Sequence, residues 1–287
     1  MIIIDISQTI ISNIMVSPEM KESKNLNLEM VRSMVLKTIK SFNNKFKNEY
    51  GKLVIAVDAG NTWRREYFPY YKVKRREAHA ESVIDWKKVY EIIRIIKNEL
   101  KETFPYPVIE VEGAEADDVI ASLCKHFGEE GFGASEKILI LSRDKDFIQL
   151  HKYSNVDQFD PIGDKWIRNI DPELYLKEHI IRGDSGDSIP NILSADDCFA
   201  LKIRQKSIMT KKVDVWLGQD WKEFCDEDTL KRVERNTTLI DLTRIPPAIG
   251  VKVIEEYSAQ QGKPRNKIFN YMIKNGLTSL MDDLQDF

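Results

Sequence analysis

Four short apolar runs recur along the chain, separated by segments whose apolar residues fall three and four apart. Ile2–Asp5, Leu53–Val57, Val108–Val111 and Lys137–Leu141 are nearly continuous apolar stretches of strand length, the pattern of strands covered on both faces. Leu28, Val31, Val35, Ile39, Phe42 and Phe46 make one stripe at helical spacing, with Asn27 placed to cap it. Trp86, Val89, Ile93, Ile96 and Leu100 make a second stripe. A third helix, opening near Glu115, carries Ala116, Ile120, Leu123 and Phe127, and a short one carries Phe147 to Leu150. Val156–Phe159 and Trp166–Ile170 read as peripheral strands, and from Asp171 onward helical patterns dominate. Strand and helix in alternation predict an α/β fold, a central and mostly parallel sheet flanked by helices. A smaller helical C-terminal domain is expected to follow, with the change near residues 178–190.

Composition narrows the class. The chain has 287 residues, 42% hydrophobic and 31% charged, which is a globular balance. No apolar run reaches the roughly 18 residues of a membrane span. Met1-Ile2-Ile3-Ile4 meets Asp5 at once and has no basic flank, so a signal peptide is not expected. Cys124, Cys198 and Cys225 are odd in number and lack paired spacing, which disfavours a disulfide framework or a zinc site and favours a cytoplasmic setting. A net charge of −3 argues on its face against a nucleic-acid partner, but the charges are not spread evenly.

The acids collect where the predicted strands end. Asp5 ends the first and Asp58 follows the second; Glu115, Asp117 and Asp118 follow the third; Asp144 and Asp146 follow the fourth. In a parallel sheet all four ends lie at one edge, where open α/β sheets place their sites. Any one of these acids reads as a helix cap. Seven together repel strongly in a partly dehydrated cleft, and their own segments supply too few Lys or Arg to offset them. Hard divalent cations are the simplest remedy for an all-oxygen donor set. Downstream, Gly183-Asp184-Ser185-Gly186-Asp187 is a loop with two more acids, placed to complete a metal site from the second domain.

Two segments have the opposite character. Residues 63–76 read WRREYFPYYKVKRR, six of fourteen being Lys or Arg and five aromatic, the mixture that grips single-stranded nucleic acid. Residues 202–212, KIRQKSIMTKK, hold five bases and no acid.

Taken in order, these segments resemble the structure-specific 5′ nucleases: flap endonucleases, the 5′ nuclease domains of bacterial DNA polymerases, and phage 5′→3′ exonucleases, with most resemblance to the T-even phage ribonuclease H branch. Ile4-Asp5-Ile6-Ser7-Gln8, Val57-Asp58, Tyr71-Lys72-Val73-Lys74-Arg75, Glu115-Ala116-Asp117-Asp118, Asp144-Lys145-Asp146-Phe147 and Gly183-Asp184-Ser185-Gly186-Asp187 carry it. The resemblance implies a catalytic α/β domain over residues 1–182, PIN-like in fold, with a basic arch at about 61–102, and a helical DNA-binding domain over 183–287. It implies two Mg²⁺ ions, with Mn²⁺ as a substitute. Asp5, Asp58, Glu115, Asp117 and Asp118 would surround one ion, and Asp144, Asp146, Asp184 and Asp187 the other. Catalysis would fall to Asp58, Asp117 and Asp144 with Lys72 and Arg75, which would orient the scissile phosphate. Nucleic acid would be held by Arg64, Arg65, Tyr71, Lys72, Lys74, Arg75 and Arg76 in the arch and by Lys202, Arg204, Lys206, Lys211 and Lys212 in the helical domain.

The implied activity is a Mg²⁺-dependent 5′→3′ exonuclease and flap endonuclease, removing RNA primers and adjacent DNA from RNA–DNA and DNA–DNA duplexes during phage-type replication. A non-catalytic branched-DNA-binding module is the alternative. Single-strand-binding protein and a sliding clamp are further partners the resemblance suggests, with the chain itself a monomer. Relatives follow the Gly-Asp…Asp motif with a glycine-rich hairpin that grips duplex; here Ile189-Pro190-Asn191 runs into Leu193-Ser194-Ala195-Asp196-Asp197 without those glycines. The tail from Ser279 to Phe287 is expected to fray as an amphipathic helix, a clamp-docking peptide being the alternative. A haloacid-dehalogenase-like phosphatase would need a second Asp two residues after Asp5, where Ser7 stands.

Overall fold

A computed structural model describes residues 1–17, 26–128 and 136–287. Six strands form one sheet in the order β3-β2-β1-β4-β5-β6. They are β1 (Ile2–Asp5), β2 (Leu53–Ala56), β3 (Val108–Ile109), β4 (Ile138–Leu141), β5 (Val156–Asp160) and β6 (Lys165–Ile167). The first five are parallel; β6 runs antiparallel at the edge, pairing Phe159 with Trp166. Strand order reverses on either side of β1, so the crevice outside the carboxyl ends of β1 and β4 is the topological switch point.

Alternate residues of each apolar run go to opposite faces. Ile2, Ile4, Leu53, Ile55, Leu139 and Leu141 pack under α1 (Ile6–Val16), α2 (Leu28–Tyr50) and, beyond the short α3 (Trp63–Tyr67) and α4 (Val73–Ala80), α5 (Trp86–Thr103). Met1, Ile3, Val54, Ala56, Ile138 and Ile140 pack under α6 (Ala116–Gly128) and the 3-10 turn Lys145–Lys152. Asn27 caps α2 through the amides of Glu29 and Met30, as its position in the sequence predicts. Helix α1 has no counterpart among the helices expected from sequence: Ile6, Ile10 and Ile14 are β-branched residues continuous with the apolar strand, and only the Asp5 cap marks the change.

The C-terminal half begins with α7 (Pro172–Arg182), followed by α8 (Thr210–Leu217), α9 (Trp221–Phe224) and α10 (Glu227–Ile240). Ile180, Ile181, Ile192, Val213, Trp216 and Val233 form its own apolar cluster. Later elements return to the sheet. Helix α11 (Pro247–Ala259) places Ile249 and Val253 against one face, and α12 (Ile268–Lys274) places Ile268 and Met272 in the core on the other. The tail does not fray: Leu280 and Phe287 are buried in that same core, Phe287 meeting Phe104 edge-on at 5.6 Å.

Candidate metal centre and active site

Four of the acids also accept from backbone amides, Asp5 and Asp144 as helix caps. Oδ1 of Asp5 accepts from Gln8 N at 3.0 Å, and Oδ1 of Asp58 accepts from Ala116 N at 2.9 Å, where α6 begins. Oδ1 of Asp144 accepts from Asp146 N at 3.0 Å, and Oδ1 of Asp184 accepts from Gly186 N at 2.7 Å. Each such bond fixes the carboxylate against the backbone with one oxygen. The structural and the functional roles of these residues are therefore compatible.

Three other acids are neutralised by the basic segment. Arg64 is 3% exposed; its Nη1 lies 3.0 Å from Glu115 and 2.8 Å from Asp118, and its Nε donates to Leu239 O at 2.9 Å. Asp118 is fully buried, and its Oδ2 accepts from Glu115 N and Trp63 Nε1. Lys72 Nζ donates to Glu115 at 2.5 Å and lies 3.5 Å from Asp187, whose other oxygen accepts from Arg75 at 3.0 Å. The Tyr71 hydroxyl sits 2.9 Å from both Glu115 and Asp187. Burial alone would raise the Glu115 pKa, but Lys72 and Arg64 bring it below the usual range. The shortage of cations expected from the acidic segments is thus partly corrected by tertiary structure, because residues 64–75 fold over the sheet edge and deliver three of them.

Six acids remain. Among the described residues, no Lys or Arg pairs with Asp5, Asp58, Asp117, Asp144, Asp146 or Asp184. Burial, then the Asp58 charge, pushes Asp5 up to about 7. Burial and Asp144 raise Asp117 well above its ordinary value; burial, then Asp144, Asp184 and Asp187, do the same to Asp146. Such shifts report burial together with negative charge that Lys72 and Arg64 offset only in part. A cavity of about 20 Å³, the size of one small occupant, is walled by Asp117, Asp146, Asp184 and Asp187 together with Arg64 and Tyr71. An oxygen-rich set this poor in cations fits one or more hard divalent ions. His179 joins it unforeseen: its donor nitrogen and carboxylate oxygens of Asp146 and Asp184 all lie within 4.8 Å of one another. Only its place in the last turn of α7, one turn before Asp184, could have signalled this in the sequence.

The loop carrying Asp184 and Asp187 is tightly built. Gly183 ends α7 at φ +65°, and a Cβ there would meet Ile189 O at 2.4 Å. Ile189 N donates back to Asp184 O at 2.7 Å. Buried Asn236 donates to Ile180 O and Pro190 O, fixing the loop from below. In place of the glycine hairpin, Asn191 acts as a staple: its side chain accepts from Leu193 N and Ser194 Oγ and donates to Lys206 O.

The expected nucleic-acid contacts divide. Arg65, Lys74, Arg75 and Arg76 are exposed, whereas Arg64 and Tyr71 are turned inward and Lys72 is partly covered. Lys72 adopts the left-handed conformation at φ 55°, and its amide donates to Asp187 O at 2.7 Å. Lys202, Arg204, Lys206, Lys211 and Lys212 are all exposed. Arg204 and Lys206 border a cleft of about 530 Å³ together with Arg182 and Phe199. Lys202 reaches back to Glu77 of α4 at 3.7 Å, and Lys74 lies over the Phe199 ring at 4.9 Å, so the two basic segments meet.

Comparison with known proteins agrees with this geometry. Residues 1–179 match the family model of the 5′-3′ exonuclease N-terminal, resolvase-like domain. The chain belongs to the 5′-3′ exonuclease family. Residues 171–287 of this family member match the model of the T4 RNase H C-terminal region. It is 35% identical over 295 residues to the ribonuclease H of Enterobacteria phage T4, the match covering 99% of this chain and 95% of that protein. It is 30% identical over 167 residues to a 5′-3′ exonuclease of Buchnera aphidicola (strain APS), covering 55% of this chain and 54% of that one. Among solved structures, the T5 D15 protein co-crystallised with metal ions matches with a TM-score of 0.64 at 18% identity, over 90% of this chain and 98% of that one, which shows a shared fold. Membership makes this exonuclease-family chain a nuclease, and its acid cluster a candidate metal centre. No described helix is long and apolar enough to cross a membrane.

Proposed function

We propose that this protein is a Mg²⁺-dependent 5′→3′ exonuclease and flap endonuclease that removes RNA primers and adjacent DNA from RNA–DNA and DNA–DNA duplexes. The observation that carries the reading is the set of six acids that, among the described residues, pair with no Lys or Arg, gathered at the switch point beneath a segment of exposed Arg and Lys. In this reading residues 1–182 are the catalytic domain and residues 183–287 the helical DNA-binding domain.

Asp5, Asp58 and Asp117 would hold one Mg²⁺, and Asp144, Asp146 and Asp184 the second. When bound, the ions supply an acidified water and stabilise charge on the leaving 3′ oxygen. The protein's own groups do the positioning. Glu115 and Asp187 hold the Lys72 ammonium at the rim of the acid cluster, where it can turn to a non-bridging phosphate oxygen. Arg75, half exposed and anchored on Asp187, can approach the same phosphate. Buried Asp118 acts one step back, holding Arg64 and the start of α6 so that Asp117 faces the cluster.

The test is a cleavage panel on 5′-labelled flap, nicked and RNA-primed duplexes, with and without Mg²⁺. The protein should cut in Mg²⁺ and require a free 5′ end. Asp144→Asn should lose at least 100-fold in rate while retaining duplex binding. Duplex binding without Mg²⁺-dependent cleavage of any substrate would overturn the reading in favour of a branched-DNA-binding module.

A further inference from the structure

We infer that His179 is a nitrogen ligand of the ion held by Asp146 and Asp184, and that it biases this position toward first-row transition ions over Mg²⁺. The inference rests on the metal centre proposed above and goes beyond its carboxylates.

The imidazole is placed by the fold. Helix α7 ends at Arg182, and the left-handed Gly183 turns the chain so that Asp184 comes back beside His179. The side chain is 14% exposed, with the Tyr175 ring meeting it edge-on at 5.8 Å. Nδ1 lies 3.4 Å from Asp146 Oδ1, longer than a good hydrogen bond. One donor atom each from Asp146, His179 and Asp184 fall within 4.8 Å of one another. Bonds of about 2.0–2.2 Å allow two ligands of one ion to stand up to about 4.3 Å apart. A shift of roughly half an ångström would therefore close all three donors on a single cation.

Ligand chemistry sets the consequence. Mg²⁺ takes oxygen ligands and keeps several waters, so an all-carboxylate position discriminates little against it. Imidazole is a softer donor, and its affinity for divalent ions rises from Mn²⁺ through Co²⁺ toward Zn²⁺. A nitrogen at one position and only oxygens around the other would make the two halves of the centre unequal in metal preference.

Electron spin-echo spectroscopy of Mn²⁺ bound to the full chain reads this directly, because a coordinated imidazole nitrogen modulates the echo. Calorimetric titration with Mn²⁺ and with Mg²⁺ supplies the affinities. The wild-type protein should show nitrogen modulation. His179→Asn, which keeps an oxygen donor, should abolish it, lowering Mn²⁺ affinity about tenfold and Mg²⁺ affinity less than threefold. Absence of nitrogen modulation in the wild type, or its persistence in His179→Asn, would overturn the inference, as would equal loss of both affinities. Asp184→Asn separates the two levels. If Mn²⁺ binds and depends on Asp184 but shows no nitrogen, only the role of His179 falls. If Mn²⁺ binding is absent or indifferent to Asp184, the metal centre itself falls with it.

Discussion

Asp117 and Asp118 are neighbours in sequence and opposites in setting. Asp118 points into the protein, where Arg64, Trp63 and the Glu115 amide hold it. Asp117 points into the cluster, where burial and Asp144 raise its pKa. The sign of this shift makes a prediction about the metal-free protein. Asp5, Asp117 and Asp146 bind protons more tightly folded than unfolded, so their ionisation weakens the fold as pH rises above the ordinary carboxylate range, for Asp5 up to about 7. Asp117→Asn should therefore be more stable than wild type at pH 8 without metal, and the difference should shrink as the pH is lowered to 5, because the raised pKa favours protonation of the wild-type carboxyl there. Urea unfolding at the two pH values in chelator measures this. A variant no more stable than wild type at pH 8 would mean the cluster's charge is offset by groups other than metal. In saturating Mg²⁺ the order should reverse, because bound ions stabilise the folded state by mass action.

At the scale of elements, the site depends on how α7 hands the chain to the loop after it. Gly183 has a conformation that side-chain-bearing residues avoid, and no room for a Cβ against Ile189 O. Gly183→Ala should cost about 1–3 kcal/mol from backbone strain, with the added displacement of Asp184 visible as weaker metal binding. Thermal unfolding and metal titration check both parts; a wild-type affinity would show that the loop can yield without moving the acid. Helix α4 presents the contrasting case. It has no buried residue and is held at its ends, by Asp187 and Ser188 at one side and by the His79–Trp86 stack, 3.7 Å between centroids, at the other. Its sequence is too basic to form a core face, so it is held by polar contacts with Asp187, Ser188 and Lys202, by Lys74 over the Phe199 ring and by this stack.

Across the whole molecule the net charge of −3 is a sum of unlike regions. Acids gather at the switch point, while Lys and Arg lie exposed on α4 and along residues 202–212. Phosphate contacts made by such a surface release counterions, so binding falls with salt in proportion to their number. Replacing both Lys211 and Lys212 with Ala should weaken duplex binding and lower the slope of log affinity against log salt by about two. The single-turnover cleavage rate should stay unchanged, since both residues lie exposed on α8, which carries none of the cluster's acids. Fluorescence anisotropy across a salt series tests this, and an unchanged slope would place the duplex elsewhere.

The sequence by itself determined the sheet, the acid-bearing strand ends and, α1 apart, the helical cover. Short runs rich in β-branched residues, such as Ile2-Ile3-Ile4 and Leu53-Val54-Ile55, favour strands covered on both faces, and the ends of parallel strands share one edge. Helix α1 escaped because its isoleucines continue the strand's own pattern, and the packed tail escaped because Phe287 is buried by partners far away in sequence. What only the tertiary structure decided is the division of labour among like residues. Nothing local distinguishes Arg64 from Arg65, yet one is sealed between Glu115 and Asp118 and the other is exposed. His179 has only its place shortly before Asp184 to mark it, and it meets Asp146 because α7 packs on the turn after β4. Charge type and spacing are properties of the chain; burial, and the choice of partner for each charge, arise only when distant segments come together in a low-dielectric interior.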